Sequence, residues 1–556
     1  MKRLPTFVLG GGLLAAVLLP AVATAAGEDT FIALQAGRSV ERVALPGGAG
    51  EVVLTQLAPQ ANAWLLLSLP AADGRGTRSF HLENADPLRQ RVKLDAAAPG
   101  TLLIGPDGAR TACVLWPGTQ LAQAATAKLP YAPLCGARLY LRNVVAGNRS
   151  ALEASTEFLR DHVWRGEQII GFVKREFYRD AFVESAASVA ASGAAVDVAP
   201  AGAPPSARLR SGEAPPAIDA PGLGIARAPP GRALLPGRWS SAAGLAGIWV
   251  SAMLPGLVSE GLDKVEAQAL AFLVAFDLGT HELGFALGTE HPRLGWSPRV
   301  RPAVRDPRLP GPDGFDGAAP LVRTGMLAPA LLDRVVASFT GGFKREHGAF
   351  SHGALAGVNR GSHYGFVEQG VVFSRLQPGL ATLFVTHDGR VEMRSWRSED
   401  EARVGTLRHA RQNGVPLVEP GAGGTPVAGA LVAQWGAGNW SGSADEQQRT
   451  LRAGACLLEH EGRRFLVYGY FSSATPRTMA RVFLAYGCGY AMHLDMNALE
   501  HTYLALYPRS GAQLGVEHLV SGMAVLDKSL GATLQPRFLV FADDRDFFYL
   551  TRKDRR

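Results

Sequence analysis

Thr475-Pro-Arg-Thr-Met-Ala-Arg-Val-Phe-Leu-Ala-Tyr-Gly487 runs directly into Cys488-Gly-Tyr-Ala-Met-His-Leu-Asp-Met-Asn497. Thr475 is a capping residue, Pro476 suits the first helical turn, and Met479, Val482, Phe483 and Tyr486 recur at i, i+3, i+4 and i+7. Gly487 supplies a stop, so the stretch predicts a helix followed by a short buried strand from Tyr490 to Leu494. That strand ends on Asp495 and Asn497. An acid and an amide are costly to desolvate at such a place, so they are either hydrogen-bonded structure or a functional site.

Around this unit, residues 237–548 have the density of a compact domain. Leu273–Asp277 and Glu282–Leu287 flank Gly279-Thr280 as one expected hairpin, and Leu383–Thr386 is expected to pair across Asp388-Gly389 with Val391–Trp396. Strands outnumber helices, so the expected class is α+β: a mixed β-sheet domain with flanking helices. At 556 residues the chain exceeds the size at which one core stops growing. Residues 30–137 carry short strand candidates, among them Glu51–Thr55, Ala63–Leu69 and Arg78–Glu83, which suggest a small β-sandwich. Residues 138–185 read as a helical segment, with Ser150 and Glu153 as a capping box and Leu152, Leu159 and Val163 on one face. Residues 186–236 are rich in Ala, Pro and Gly and read as a disordered or extended linker.

Residues 1–25 place Lys2 and Arg3 before an apolar stretch, Phe7–Val22, and the small residues Ala23-Thr24-Ala25, the pattern of a secretory signal peptide. An uncleaved anchor is the rival reading, weakened by Gly10–Gly12 and Pro20. The expected location is therefore periplasmic or secreted, with no stable membrane insertion after cleavage. The formal charge is +7, carried by dispersed arginines rather than basic blocks with interleaved aromatics, which argues against nucleic acid as the partner. Four cysteines form two local pairs, and Cys113–Cys135 with Cys456–Cys488 is the favoured of the three connectivities. Their spacing gives no zinc pattern, and no metal or cofactor is expected.

Thr340-Gly341-Gly342-Phe343 follows the apolar run Val335–Phe339, where glycine amides can approach a ligand closely. Arg411-Gln412-Asn413 precedes a Gly-Val-Pro bend, and Arg452-Ala453-Gly454 opens the strand that carries Cys456. Arginine offers a fork suited to phosphate or carboxylate, and Asn and Gln suit hydroxyl-rich ligands. His493 lies inside the strand leading to Asp495.

In order and spacing over roughly 270–500, these motifs resemble the phosphodiester glycosidase family. Its pattern is an Asn-Gly-Gly-Phe turn, a hairpin with an Asp-Gly turn, an arginine before small residues, and a helix leading into a strand that ends in Leu-Asp-Gly-Gly. The matching positions here are Thr340–Phe343, Thr386–Gly389, Arg452–Gly454 and His493–Asn497. Thr340 replaces the expected Asn, and Met496-Asn497 replaces the two glycines; Arg411–Asn413 and the Leu-Asp-Met-Asn ending look more like a bacterial exported branch.

The resemblance implies a glycosidase-like hydrolase acting on a sugar phosphodiester or a related glycan linkage, with a carbohydrate or sugar phosphate as its substrate. If the domain is catalytic, Arg452 and Arg411 would hold the phosphate with help from the Gly341 and Gly342 amides, beside Asn413 and Phe343. Asp495 would be the base or nucleophile, oriented by Asn497 or His493. Glu290, Glu346 and Glu368 are candidates for a second carboxylate. Two rival readings stand beside this one: a non-catalytic glycan-binding protein of the cell envelope with the same fold, and a metal-dependent hydrolase using Asp495 with His347 or His352.

The leader pattern makes a direct prediction. The mature chain begins near Ala26, so peptide mapping of the exported protein finds that terminus, whereas intact full-length protein in the inner membrane would contradict it.

Overall fold

The apolar runs Ala271–Asp277, Arg463–Ala474, Thr450–His460 and Tyr490–Met496 are long enough to be covered on both faces, and they pair antiparallel at the centre of an eight-stranded sheet. Ser240–Ser241 and Ile248–Met253 extend the sheet on one side, and Pro416–Pro420 and Pro426–Ala428 extend it on the other. The computed structural model describes residues 28–554 except 72–75, 151–181, 186, 189–199, 211–216, 221, 226–233, 298–299, 301, 345–362, 433–448 and 532.

A helix, Pro476–Ala485, covers one face of the sheet as the sequence predicts. The Thr475 side chain accepts the Thr478 N–H, and Gly487 ends the turn at φ +83°. Met479, Val482, Phe483 and Tyr486 are buried with Cys456, Val467 and Ala491. The helix sits this close because the strands present glycine beneath it. A Cβ on Gly454 would lie 2.9 Å from Met479 Cε, and one on Gly469 would lie 3.0 Å from Phe483 Cζ.

Two five-stranded antiparallel sheets complete this part of the chain. One is ordered His281–Ala286, Phe547–Arg552, Val335–Thr340, Leu504–Leu506 and Glu517–His518. The other is ordered Val371–Ser374, Phe366–Glu368, Leu407–Gln412, Ala381–Thr386 and Val391–Ser395. A single large core contains Phe272, Tyr468 and Met492 from the eight-stranded sheet, Phe339 and Phe548 from one five-stranded sheet, and Phe366 and Leu383 from the other. The architecture is mostly β-sheet, with few helices among the described residues, so flanking helices contribute less than the sequence suggested.

The structure corrects several expectations. Ala271–Asp277 and His281–Ala286 do not pair as a hairpin: the first lies in the eight-stranded sheet and the second beside Phe547–Arg552. The Asp277 side chain accepts the Gly279 N–H, turning the chain from one sheet into the other. The expected Ala381–Thr386 and Val391–Ser395 hairpin does form.

Near the N-terminus, a six-stranded and a three-stranded antiparallel sheet share one core, and the six-stranded sheet continues to Leu139–Arg142, beyond the expected boundary at 137. Glu153 of the expected capping box and the apolar face Leu152, Leu159 and Val163 lie outside the described residues. The described parts of 186–236 are extended but anchored rather than loose: Ile218 and Ile225 are buried in the main core, and Trp239 Nε1 donates to Pro205 O.

Cys113–Cys135 and Cys456–Cys488 are both bonded, as the local spacing suggested, and two disulfides fit an oxidising compartment. No helix among the described residues is long and apolar enough to cross a membrane. Cys456–Cys488 ties a central strand to the end of the covering helix. Replacing both of these cysteines with alanine is expected to lower stability by about 2–4 kcal/mol in chemical denaturation, and a non-reduced digest of the native protein is expected to contain both linked peptide pairs.

Candidate active site at the meeting of three sheets

The three large sheets meet at the ends of Val335–Thr340, Leu407–Gln412 and Tyr490–Met496. Asn413, one residue beyond its strand, joins them. Its Oδ1 accepts the Phe343 N–H at 3.0 Å, and its Nδ2 donates to His493 O at 2.6 Å and also to Leu494 O. Gly342 is required by this contact: it sits at φ +148°, and a Cβ there would lie 2.8 Å from Asn413 Oδ1. A fully buried amide that meets three backbone groups fixes the relative position of all three sheets.

Arg411 makes a second crossing. Its Nε donates to Asp546 Oδ2 at 2.7 Å, Nη1 to Gln412 O at 2.6 Å and Nη2 to Phe343 O at 2.6 Å. Asp546 O also accepts the Gly341 N–H at 2.9 Å. Arg411 and the Gly341 amide, expected to hold phosphate, are therefore struts of the frame, because their donors are committed within the protein. Thr340, likewise expected at the ligand, turns its hydroxyl to Tyr503 O at 3.3 Å.

Arg452 is fully enclosed. Its Nε donates to Ala474 O at 2.8 Å, and its Nη1 lies 3.2 Å from His493 Nε2 and 2.9 Å from Met496 Sδ. Burial pushes the guanidinium down to about 9, against an opposing pull from Glu266. Burial, and then the charge of Arg452, holds His493 well below the ordinary imidazole range, so a neutral His493 ring accepts from Arg452 and packs against Phe343 at 4.7 Å.

Asp495 lies on the same face of its strand as His493, two residues on. Its Oδ2 pairs with Arg545 Nη1 at 2.8 Å, and its Oδ1 accepts the Met496 N–H at 2.8 Å. His501 Nδ1 is 2.7 Å from Met496 O and 4.0 Å from Asp495 Oδ1. Burial raises the carboxyl above the ordinary aspartate range, outweighing the opposing effects of His501, Arg545, the Met496 N–H and Lys344. The result is a carboxyl faced by cations at the end of a rigid strand, an environment suited to acid–base chemistry.

The structure thus joins Gly342, Phe343, Arg411, Asn413, Arg452, His493 and Asp495 in one polar frame. Asn497 is set apart. It adopts φ +79°, donates its N–H to Leu451 O and accepts the Thr450 hydroxyl at 3.1 Å, so it belongs to the strand end rather than to the Asp495 carboxyl.

Among the candidate second carboxylates, Glu290 pairs with Arg149 near the surface, and Glu368 accepts the Leu287 N–H beside a different cluster of charges. Glu346, His347 and His352 lie outside the described residues. Among the described residues, no group of three or more His, Cys, Asp or Glu is placed to hold a metal.

Asp546, Arg545, His501 and Lys344 were not singled out by sequence reasoning. A signal for two of them was present: Asp543-Asp-Arg-Asp546 stands immediately before the apolar strand Phe547-Phe-Tyr-Leu550, the same kind of charged strand end as at Asp495.

No protein-family profile and no curated protein matches this chain. Among solved structures, it is similar at 11% identity and a TM-score of 0.31 to the zebrafish N-acetylglucosamine-1-phosphodiester alpha-N-acetylglucosaminidase catalytic domain auto-inhibited by its pro-peptide, over 56% of this chain and 85% of that one. A hypothetical protein from Synechocystis is similar at 10% identity and a TM-score of 0.28, over 92% and 98% of the two chains. A putative exported protein from Burkholderia pseudomallei is similar at 11% identity and a TM-score of 0.21, over 45% and 73%. At these scores the likenesses carry no conclusion about chemistry.

The frame predicts large stability effects. Asp546→Asn leaves the Arg411 charge buried without its counter-ion and is expected to cost about 3–5 kcal/mol. Asn413→Ala is expected to cost about 1–3 kcal/mol for each buried backbone group it leaves unsatisfied. Urea denaturation of the two variants checks both, and wild-type midpoints would show that the three sheets are held together elsewhere.

Proposed function

We propose that this protein is an exported, glycosidase-like hydrolase acting on a sugar phosphodiester or a related glycan linkage. The observation that carries this reading is Asp495: a buried carboxyl with a raised pKa, placed at a strand end and faced by Arg545, His501 and Lys344. In its basic form Asp495 activates a water, or itself attacks the anomeric carbon; the bond from that carbon to the phosphate oxygen breaks, and the phosphate leaves with the bonding electrons. Lys344 and Arg545 supply positive charge where the departing phosphate becomes more negative. Arg452, which is fully enclosed, holds His493 and Met496 in position.

The Asp495–Arg545 pair also favours a second reading, a glycan-binding protein of the cell envelope that keeps the frame without the reaction. In that case the pair is purely structural. A single Asp495→Asn change does not separate the two readings, because it strands the buried Arg545 charge whatever the function. The combined Asp495→Asn and Arg545→Met change removes both charges and is expected to restore most of the stability.

A hydrolysis screen of the purified mature protein on glycosyl phosphodiesters and α-glycosides, with and without chelator, tests the reaction. Turnover by the wild type is expected to fall about 10²-fold or more in the double variant while its melting temperature stays near wild type. A folded double variant with wild-type turnover would sink the role of Asp495, and a blank wild-type screen would favour the binding protein.

The pH dependence has a definite sign. The working carboxylate is lost as pH falls through a raised pKa, so the acid limb of kcat/KM is expected above the ~3.9 of an ordinary aspartate.

A further inference from the structure

A cavity of about 320 Å³ has charged walls formed by Arg149, Glu500, Asp527, Lys528, Arg537 and Asp543. Three cations face three carboxylates, so the wall carries no net formal charge. Most are locked in place. Arg537 grips Asp543 with two hydrogen bonds of 2.8 and 2.9 Å. Asp527 accepts the Tyr503 hydroxyl and the Arg537 N–H and lies 3.0 Å from His518 Nε2. Arg149 donates to Asp544 at 3.1 Å. An ionised carboxylate has about four acceptor sites, so one fixed by two or three donors still has acceptor capacity toward a ligand.

The strap that closes one side is also fixed. Asn148 donates its N–H to Ala542 O at 2.8 Å, and its carbonyl accepts the Asp544 N–H at 3.1 Å. Gly147 permits this approach, because a Cβ there would lie 2.1 Å from Thr289 Oγ1 and 2.6 Å from Asp544 N.

Two routes connect the cavity to Asp495. Glu500 Oε1 lies 3.4 Å from His501 Nε2, whose ring stands beside Asp495. Asp543 Oδ1 accepts the Arg545 N–H at 3.0 Å, and the Arg545 side chain pairs with Asp495.

We infer that this cavity is a subsite for a neutral, polyhydroxylated ring, with Glu500 as the positioning residue between that ring and the His501–Asp495 pair. Rigid donors and acceptors with no net charge match vicinal hydroxyls and give a free anion no advantage. The volume lies at the low end of the ~300–1,000 Å³ range of ligand sites, enough for a small sugar and too small for an extended chain. The assignment of this ring to a substrate rests on the hydrolase reading. The binding itself does not.

The test is calorimetric titration of the mature protein with N-acetylglucosamine, mannose, glucose and inorganic phosphate, repeated on Val525→Trp. Val525 lines the cavity and is 80% exposed, so an indole there obstructs the cavity while leaving the core untouched. At least one sugar is expected to bind saturably, phosphate is expected not to compete, and Val525→Trp is expected to raise Kd at least tenfold with an unchanged melting temperature. No sugar binding, wild-type affinity in the variant, or competition by phosphate would each overturn the inference. If this binding pattern holds while the hydrolysis screen stays blank, the subsite stands and the reaction falls; turnover with unaltered sugar binding in Val525→Trp means the reverse.

Discussion

The Asn413 side chain is the point on which the site depends. It is buried, it follows the last residue of one sheet, and it hydrogen-bonds to the backbone of the other two. Three sheets built from separate stretches of chain have no reason of their own to end at a common point. One amide with an acceptor for Phe343 and donors for His493 and Leu494 makes them do so, and Arg411 with Asp546 reinforces the junction. Since an unsatisfied buried amide or guanidinium costs several times the net value of a formed hydrogen bond, the frame tolerates little displacement.

That rigidity gives Asp495 its character. Its strand is paired on both sides, to Thr450–His460 and to Pro416–Pro420, and the residue ahead of it is held through Asn413. The carboxyl therefore stays in a dry environment that raises its pKa although Arg545 touches it. An exposed Asp–Arg pair would shift the carboxyl the other way. Here desolvation outweighs the ion pair and holds the carboxyl above the ordinary aspartate range.

The polar residues divide into two groups with different work. Arg411, Asn413, Arg452 and Asp546 spend their hydrogen bonds inside the protein and set geometry. Asp495 connects through His501 to Glu500, which lines the cavity walled by Arg537 and Asp543. Arginine in a conspicuous motif suggests anion recognition, yet both motif arginines here serve the frame, because a guanidinium with five donors is also the side chain best able to tie several carbonyls together.

By itself the sequence determined the helix over Pro476–Ala485, the buried strand that starts at Tyr490 and leads into Asp495, the Asp388-Gly389 hairpin and the two disulfide pairs, all of which rest on local periodicity, capping or proximity along the chain. It also drew attention to Phe343, Asn413, Arg452 and His493, because polar or glycine-rich positions at the ends of apolar runs stand out. Only the tertiary structure decided that Ala271–Asp277 and His281–Ala286 part into different sheets, that Arg411 meets Asp546 135 positions away, and that Asp495 meets Arg545 across 50. Strand partners and ion pairs at that separation are chosen by which apolar faces bury together, a property of the assembled core that no local pattern encodes.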